Sequence, residues 1–490
     1  MLAIQRNLTN SFYALLSLPS TAMGFALSVQ ISALSWILST KYQLKIEEVG
    51  LVWAAGPIAG IFGQVIIGLI SDNVWFWNGR RRPFILIGGV LAGLMLLALP
   101  NIDVISGAMG SGAILGVAIT VALTLDLAIN VSFNPTRSII ADVTPEGEKR
   151  TKGYTWMQTI SGAFGVGAYA IGAIWDNYVL IYFGALLVFL LSFIPPFFIQ
   201  EPRHLGETTG DAQASAKASS GKNSLLDILK AIQPLWGFLI YAVYGMIGRL
   251  SGWAVPGFIV EILCLALTMG LIVQALVRKE TGAGAAPLAG FKKVLAAHAF
   301  TWVGIQSMFV YMFAYVQDKL PQLGDNDMGR VVSISFLILN AVGALLPAFL
   351  LEPLTRRIGR VNTHMICIAI MAAGYAGIWV LGKSPAAIYV MMGILGIGWA
   401  ATVSLPFAIM SQKVDQARMG LYMGLFNLSV VLPQLVASLG VGQAVGQASN
   451  KSLLFIICAF TLGVSALSWF FVQEPENHER MAAPAGGAGH

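Results

Sequence analysis

The chain has 490 residues, of which 57% are hydrophobic and only 11% are charged, and its mean hydropathy is +0.75. A soluble domain carries about 25% charged residues, so this composition excludes a soluble protein and indicates a chain that crosses a membrane many times. The net charge of +6 does not indicate nucleic-acid binding, because Lys and Arg are concentrated in short loops. Cys264, Cys367 and Cys458 lie in apolar runs, which excludes a disulfide framework or a CxxC metal site.

The predicted elements are helices, because a bilayer core about 30 Å thick needs roughly 20 apolar residues per helix and runs of this length do not form a barrel. Six apolar runs come first, followed by a linker rich in Gly, Ser and Ala, then two runs, a second linker and six more runs. We therefore predict fourteen helices at 13–39, 48–70, 83–100, 107–140, 153–174, 177–198, 231–249, 253–278, 293–317, 329–352, 361–382, 386–410, 417–441 and 451–473.

These runs divide the chain into six segments. They are an N-terminal six-helix bundle (1–204), a cytoplasmic linker (205–230), an inserted transmembrane hairpin (231–278), a second cytoplasmic linker (279–292), a C-terminal six-helix bundle (293–476) and a disordered tail (477–490). Lys and Arg are concentrated in the loops on the side of both termini, which predicts that the termini are cytoplasmic. We expect an integral protein of a bacterial-type inner (plasma) membrane.

The two six-helix segments resemble each other in sequence. "FIQEPRH" (198–204) closes the first and "FVQEPENH" (471–478) closes the second, and "VSFNP" (131–135) is echoed by "VSLP" (403–406). Two such repeats in the same orientation are the plan of major-facilitator transporters, with the substrate site between them near the membrane midplane. The hairpin belongs to neither repeat, and Arg249 and Glu261 are expected to pair near its outer turn as packing contacts.

The loop "GLISDNVWFWNGRRRPFIL" (68–86) places an acid before a run of arginines, and the second half has a similar arrangement. A carboxylate beside guanidinium groups forms a charge-assisted network that can tie two helix ends together. We predict a conformational latch, made in one state and broken in the other; the alternative is that the arginines only anchor the loops. The predicted latch residues are Asp72, Arg80, Arg81, Arg82, Glu352, Arg356 and Arg357, with Arg360 beside them.

The stretch "LTLDLAINVSFNPTRSIIADV" (123–143) puts polar side chains into an apolar helix. Asp126 and Arg137 fall within about 20° of the same helix face but about 16 Å apart along the axis, and Asn130 shares that face. A carboxylate at midplane is costly unless it is protonated, solvated or paired. We therefore predict that Asp126 takes up and releases a proton rather than making a structural contact. Arg137 either assists it or extends to the inner interface.

The segment "GPIAGIFGQVIIGLISD" (56–72), followed by "GRRRPFILIGG" (79–89), together with "MGFALSVQISALSW" (23–36) and the fourth helix, resembles the plant sucrose–proton symporters and their bacterial and animal relatives. These belong to the glycoside–pentoside–hexuronide:cation symporters of the major facilitator superfamily. The resemblance covers roughly residues 20–175, and the second half matches in general plan. It implies that Asp126 is the proton site and a sugar ligand, that Asn130 is a sugar ligand, and that Arg137 tunes coupling.

Sugar sites combine flat apolar faces with hydrogen-bonding groups, and polar groups inside a membrane usually need partners. On this basis the further candidate substrate ligands are Phe25, Ser28, Gln30, Gln158, Trp302 and Gln306. The first helix of the second half, which contains "WVGIQSMFVYMFAYV" (302–316), lacks the acidic residues of the plant carriers, so proton chemistry is expected in the first half. The sugar is open between sucrose, maltose and another glucoside. His298 is expected to have a packing role.

The sequence thus predicts an all-α polytopic membrane protein of the major facilitator fold. We expect a proton-coupled glucoside symporter that works by alternating access. It is not expected to be an enzyme or to hold a cofactor or metal. Its expected partners are the sugar, the proton and the bilayer, without nucleic acid, and it is expected to be a monomer. The alternatives are a sodium-coupled glycoside symporter, disfavoured because Glu48 is the only acid in the second predicted span, and an efflux exchanger for apolar compounds.

Overall fold

The computed structural model describes residues 3–61, 70, 74–110, 113–145, 148–202, 225–253, 255, 257–278, 286–414 and 419–473. In these residues the regular secondary structure is helical, apart from one isolated bridge between Phe76 and Gly79. This confirms the predicted all-α class. The long helices are α1 (Asn10–Thr40), α2 (Ile46–Trp53), α3 (Arg82–Ala98), α4 (Ile114–Val143), α5 (Glu148–Ile174), α6 (Asn177–Phe198), α7 (Trp236–Ser251), α8 (Ile259–Val277), α9 (Ala286–Lys319), α10 (Asp325–Leu346), α11 (Arg360–Leu381), α12 (Pro385–Ser411), α13 (Met419–Val436) and α14 (Leu453–Trp469).

Several helices begin where the sequence supplies a capping side chain. The side chain of Thr9 accepts a hydrogen bond from the backbone N–H of Phe12 at the start of α1, and Asp176 accepts one from Val179 at the start of α6. Ser384 caps α12 in the same way. Each cap satisfies a backbone donor that the first turn leaves without a partner.

The two halves repeat one packing pattern. In the first half α1 packs on α5 and α6, and α3 packs on α4 and α6. In the second half α9 packs on α13 and α14, and α11 packs on α12 and α14. In this pattern α9 corresponds to α1, and α11–α14 correspond in order to α3–α6. The hairpin α7–α8 lies between the two sets in the sequence. The hairpin packs against α9 and α13 of the second half.

Eleven helices in the described part of the chain are long and apolar enough to cross a membrane. Of the other predicted spans, α14 is apolar but shorter, and α7 has 16 residues. In the second predicted span, 48–70, α2 is followed by a turn at Ala54 and by a second helical segment over residues 55–61, where the continuous description ends. A total of fourteen crossing helices therefore stays a prediction.

Both predicted linkers are shorter than expected. Residues Leu225–Ala231 form a short helix rather than linker, because Ile228 and Leu229 pack against the core and the Trp236 indole donates a 3.0 Å hydrogen bond to the Leu229 carbonyl. The second linker ends earlier than residue 292, since α9 already begins at Ala286. The rest of the first linker and the tail 477–490 lie outside the described residues.

The span predicted at 107–140 begins too early. A short helix, Ile102–Ala108, follows α3 within one candidate membrane span, Arg82–Ala108, and α4 starts only at Ile114. Gly110 has a φ of +63° between the two, a left-handed conformation that glycine adopts without strain.

The halves meet near one face of the membrane. We call proximal the face where α1 begins and α6 ends, which are joined by a 2.7 Å hydrogen bond from Gln5 Nε2 to the Gln200 carbonyl, and distal the opposite face. Near the distal face the Ser32 and Ser333 hydroxyls lie 2.8 Å apart, and Ser333 also donates to Asn177 at 3.2 Å. The Trp36 indole donates to the Asp325 carbonyl at 2.9 Å.

These contacts, with the hydrogen bond from Arg330 to the Trp175 carbonyl at 3.1 Å, form what we call the distal seal. In the proximal half of α5 the side chains of Gln158 and Thr159 are exposed. The structure is therefore closed at the distal face, with the proximal half of α5 accessible.

Candidate substrate and proton site

Asp126 lies in the middle of α4 and its side chain is buried, with 6% exposure. Its Oδ2 accepts a 3.0 Å hydrogen bond from Gln30 Nε2 on α1. Among the described residues it makes no ion pair. The structure thus brings together two of the predicted site residues, a carboxyl group and an amide, from two different helices.

Gly56 lies directly against this carboxyl group. A Cβ atom added at Gly56 would lie 3.3 Å from Asp126 Oδ2 and 3.5 Å from its Cγ and Oδ1. This is tighter than an ordinary van der Waals contact, so a side chain at position 56 would crowd the acid. Glycine therefore allows the second helical segment to approach Asp126 closely.

Two further polar groups lie beside Asp126. Asn130 is buried one turn along α4, and its Nδ2 donates to the Asp126 carbonyl at 2.8 Å. The Gln30 Oε1 atom is buried and has no hydrogen-bond partner in the described part of the protein. A buried acceptor without a partner is costly, and a hydroxyl group of a ligand would satisfy it.

The remaining first-half candidates lie in different surroundings. The Ser28 hydroxyl donates to the Gly24 carbonyl at 3.0 Å, and a Cβ atom added at Gly165 of α5 would lie 3.5 Å from it. Gln158 is exposed on α5. Phe25 is buried between α1 and α6, where its ring packs edge-on against Phe183. This position does not support a substrate contact by Phe25.

The second half contributes a cluster of indole and amide groups. Trp302 donates from Nε1 to His298 Nε2 at 2.9 Å, and its ring lies 6.2 Å from that of Trp399. Trp399 Nε1 in turn donates to Asn340 Oδ1 at 3.2 Å. Gln306 is buried and its Oε1 accepts from Gln434 Nε2 at 3.2 Å.

Trp399, Asn340 and Gln434 are members of this cluster that the sequence prediction missed. Each is a polar or indole side chain within an apolar stretch of its helix, and Trp399 precedes the repeated "VSLP" motif by four residues. A polar or indole group inside such a stretch is the sequence signal that could have identified them. The helices involved are α9, α10, α12 and α13.

A continuous series of aromatic rings joins the two halves. Neighbouring centroids are 6.2, 5.5, 5.3 and 6.1 Å apart. In order, the rings are those of Trp302, Trp399, Phe309, Phe336 and Tyr169. The last belongs to α5 of the first half, so apolar ring faces and the polar groups of both halves occur at the interface between them.

Arg137 is not brought to Asp126. Its side chain is exposed, and the guanidinium carbon lies 5.0 Å from the centre of the Phe133 ring, one turn back along α4. Its backbone carbonyl accepts a 3.3 Å hydrogen bond from the Tyr154 hydroxyl. This cation–π contact is local to α4 and does not support a direct role as the charge partner of Asp126.

The arginines of the predicted first-half latch contact two acids that the sequence prediction did not include. Asp72 lies outside the described residues. Instead Arg81 Nε donates to Asp142 Oδ2 at 3.0 Å, with the two side chains only 8% and 11% exposed. The carboxylate of Glu201 accepts from the backbone N–H groups of Arg80, Arg81 and Arg82 at 2.7–2.8 Å. A carboxylate is stabilised at the N-terminus of a helix, here α3.

The second-half latch is not seen as predicted. Glu352 pairs with Arg356 at 2.6 Å, but the two residues are four apart in one short helix and their side chains are 59% and 77% exposed. An exposed pair within one helix contributes little stability and does not tie two helices together. Arg357 is exposed on the same helix.

His298 has a packing role, as expected. It is buried with 2% exposure, and its ring stacks on that of Phe426 at 4.9 Å. As the acceptor for Trp302, it also fixes the orientation of the indole. In the described residues no group of three or more His, Cys, Asp or Glu side chains could hold a metal ion.

These features define a class, namely a polytopic helical membrane protein with two equivalent halves and a polar site between them. The sequence profile of the Major Facilitator Superfamily matches residues 16–438. The chain belongs to that superfamily.

Sequence relatives cover most of the chain. A sucrose transport protein of Arabidopsis thaliana, SUC4, is 25% identical over 468 residues, which is 87% of this chain and 83% of that protein. A sucrose transport protein of Oryza sativa subsp. japonica, SUT1, is 25% identical over 80% of this chain and 74% of its own length. The general alpha-glucoside permease of Schizosaccharomyces pombe is 29% identical over 32% of this chain and 31% of that protein. These similarities confirm the resemblance noted in the first half, and the relatives are transporters rather than enzymes.

Solved structures show the same fold at low identity. A crystal structure of the nucleoside transporter NupG superposes with a TM-score of 0.63 at 12% identity, covering 94% of this chain and 100% of that one. An auto-inhibited POT family peptide transporter gives a TM-score of 0.64 at 12% identity, covering 96% and 98%. The predicted major facilitator fold is thereby confirmed.

Proposed function

We propose that this protein is a proton-coupled symporter for a glucoside such as sucrose or maltose. The observation that carries the proposal is Asp126, a buried acid at the middle of α4 that accepts one amide hydrogen bond and makes no ion pair with a described residue. A buried ionised carboxylate without a cationic partner is strongly destabilised. Such a group is suited to bind a proton in one step of a transport cycle and to lose it in another.

The contacts of Asp126 suggest how proton and sugar bind together. Gln30 occupies Oδ2, which leaves Oδ1 for a proton or for a sugar hydroxyl. The unpartnered Gln30 Oε1 offers an acceptor for a neighbouring hydroxyl, and Asn130 lies one turn away. Adjacent hydroxyls of a pyranose ring match such a set of closely spaced amide and carboxyl groups.

The second half supplies the apolar part of the site. Pyranose rings present flat C–H faces, which pack on aromatic rings, and Trp302 and Trp399 provide such faces near the buried amide of Gln306. Hydrogen bonds from the first half and ring contacts from the second would make binding depend on the approach of both halves. This favours a sugar over an apolar compound as the substrate.

The arrangement of the halves supports alternating access. The distal seal closes one face, while Gln158 and Thr159 in the proximal half of α5 are exposed. We propose that this is the inward-facing state, with the proximal face and both termini in the cytoplasm of a bacterial-type inner membrane, and that the protein acts as a monomer. The names of its sucrose- and glucoside-transporting relatives support the same substrate class.

Uptake by proteoliposomes tests this proposal. The purified protein is reconstituted and offered labelled sucrose, maltose and a non-glucoside sugar, with and without an inward pH gradient and with and without sodium. The expected result is accumulation of a glucoside that depends on the pH gradient and not on sodium. Uptake that follows sodium alone, or no glucoside uptake, contradicts the proposal.

The variant Asp126→Asn keeps the size and hydrogen-bonding shape of the side chain but cannot exchange a proton. It is expected to lose accumulation against a gradient and to keep exchange of labelled for unlabelled sugar. The matched control is Asp103→Asn, which removes a carboxylate that pairs with Lys41 near the distal face, far from the site. Full accumulation by Asp126→Asn would exclude it as the coupling residue.

A further inference from the structure

Two cavities lie between the hairpin α7–α8 and the second half. One cavity has a volume of about 440 Å³ and is lined by apolar side chains from α7, α8, α9 and α14, including Phe238, Leu265, Phe300 and Phe460. The other has a volume of about 420 Å³ and lies at the hairpin turn, where Gln443 and Gln447 are among its lining residues. Neither cavity includes a residue of the proposed sugar site.

Glu261 lines both cavities and therefore lies where they adjoin. Of the described residues lining either cavity, it alone is charged. Its Oε2 atom is buried and has no hydrogen-bond partner in the described part of the chain. The side chain of Arg249, its predicted partner, lies outside the described residues. A buried carboxylate oxygen without a donor is costly, and a ligand carrying N–H donors would satisfy it.

The two cavities have the layout of an amphiphile along the membrane normal. The hairpin turn lies at the distal face, because the base of α7 is joined to the proximal start of α9 by the hydrogen bond from Lys292 to Gln233. The polar cavity is therefore at the distal membrane interface. The apolar cavity extends inward to Thr268, about 14 Å along α8 from its first residue Ile259.

The apolar cavity opens to the lipid. Its lining residues Leu265 and Phe460 are 52% and 61% exposed, and so is Ile262 at 63% on the same hairpin helix. In a membrane these surfaces face acyl chains, so the occupant arrives from the bilayer rather than from water.

We propose that this is a binding site for a phospholipid with a primary ammonium headgroup. An acyl chain would fill the apolar cavity, and the ammonium would donate hydrogen bonds to Glu261. The amides of Gln443 and Gln447 would face the phosphate. Charge complementarity selects this class, because an ammonium offers both a positive charge and N–H donors to a carboxylate, whereas a choline headgroup keeps the charge but has no N–H group.

Lipid retention by the full chain tests the site. The protein is exchanged into nanodiscs containing equal amounts of phosphatidylethanolamine and phosphatidylcholine, then extracted, and its retained lipids are counted by native mass spectrometry. The wild type is expected to retain the ethanolamine lipid roughly fivefold over the choline lipid, the effect of about one hydrogen bond. Stepwise N-methylation of the headgroup should reduce retention stepwise.

Glu261→Gln is expected to lose this preference while still retaining lipid. Asp318→Asn is the matched control, because it removes an exposed carboxylate from the distal end of α9, outside both cavities. Leu265→Trp fills the mouth of the apolar cavity and should lower retention of both lipids equally. Equal retention by the wild type, an unchanged preference in Glu261→Gln, or no effect of Leu265→Trp would each overturn the proposal.

Discussion

Gln30 of α1 donates a 3.0 Å hydrogen bond from Nε2 to the Asp126 carboxyl group of α4. This bond orients the Gln30 amide, whose oxygen, Oε1, has no hydrogen-bond partner in the described part of the protein. One amide thus connects two helices of the first half and presents an acceptor beside the carboxyl group. The residues can therefore respond together when a proton or a hydroxyl arrives.

Removing the amide should weaken transport strongly. Gln30→Leu deletes a hydrogen bond to an acid that is worth about 1.5–3 kcal/mol, so we expect uptake at low sugar concentration to fall roughly 10- to 100-fold. The measurement is the initial rate of glucoside uptake at a fixed pH gradient. Ser17→Ala is the control, because the Ser17 hydroxyl lies on the same helix outside the site and donates to the Tyr13 carbonyl. If both variants transport equally well, Gln30 does not serve the site.

Crowding the acid from the helical segment 55–61 should have a similar effect. Gly56→Ala places a Cβ atom 3.3 Å from Asp126 Oδ2, whereas the same change at Gly60, one turn further on, makes an ordinary contact of 3.6 Å with Val431. We expect Gly56→Ala to reduce the uptake rate severalfold and Gly60→Ala to leave it unchanged. Thermal unfolding of both proteins separates a site effect from a folding effect. Equal activity of the two variants would contradict the close approach seen here.

The Arg81–Asp142 pair should stabilise the first half. Removing one partner of a buried ion pair costs about 3–5 kcal/mol, so Asp142→Asn is expected to lower the unfolding temperature in detergent by several degrees. Glu352→Gln breaks an exposed pair within one helix and should change it little, since such pairs are worth about 0.3–0.5 kcal/mol. A comparable loss in both variants would show that burial of the first pair does not matter.

Weakening the distal seal should shift the protein towards the distal-open state. Trp36→Phe removes the donor to the Asp325 carbonyl, a hydrogen bond worth about 1 kcal/mol, which corresponds to roughly a fivefold change in population. A cysteine introduced at Thr159, exposed in the proximal half of α5, should then react more slowly with a maleimide.

The three native cysteines are buried and form no disulfide, so their background labelling is expected to be low. Thr40→Val serves as the control for the seal, because the Thr40 hydroxyl donates to a carbonyl of its own helix. Faster labelling at position 159 in Trp36→Phe would reverse the assignment of the seal.

The sequence was informative where a local pattern determines the outcome. Burial of Asp126 and Asn130 on one face of α4 followed from the helical period and from the cost of polar groups in lipid. The bond from Gln30 to Asp126 did not follow, because the rotation of α1 against α4 depends on packing along both helices.

Long-range partners were the main omissions. Asp72 was predicted as the acid of the latch because it is near the arginines in sequence, and it lies outside the described residues. The prediction omitted two acids that contact these arginines, Asp142 and Glu201, which come from the ends of α4 and α6. Phe25 was predicted as a ligand from residue type alone, and its contact with Phe183 depends on which side α6 occupies. Neither relationship leaves a signal at short sequence separation.

The attachment of the hairpin to α9 and α13 has a practical consequence for following motion. If the two halves rock against each other, α7 and α8 travel with the second half as part of one rigid body. A fluorophore placed on the hairpin turn would therefore report the position of the second half. Its distance to a second fluorophore on the first half would change with each opening and closing, and both labels would lie outside the sugar pathway.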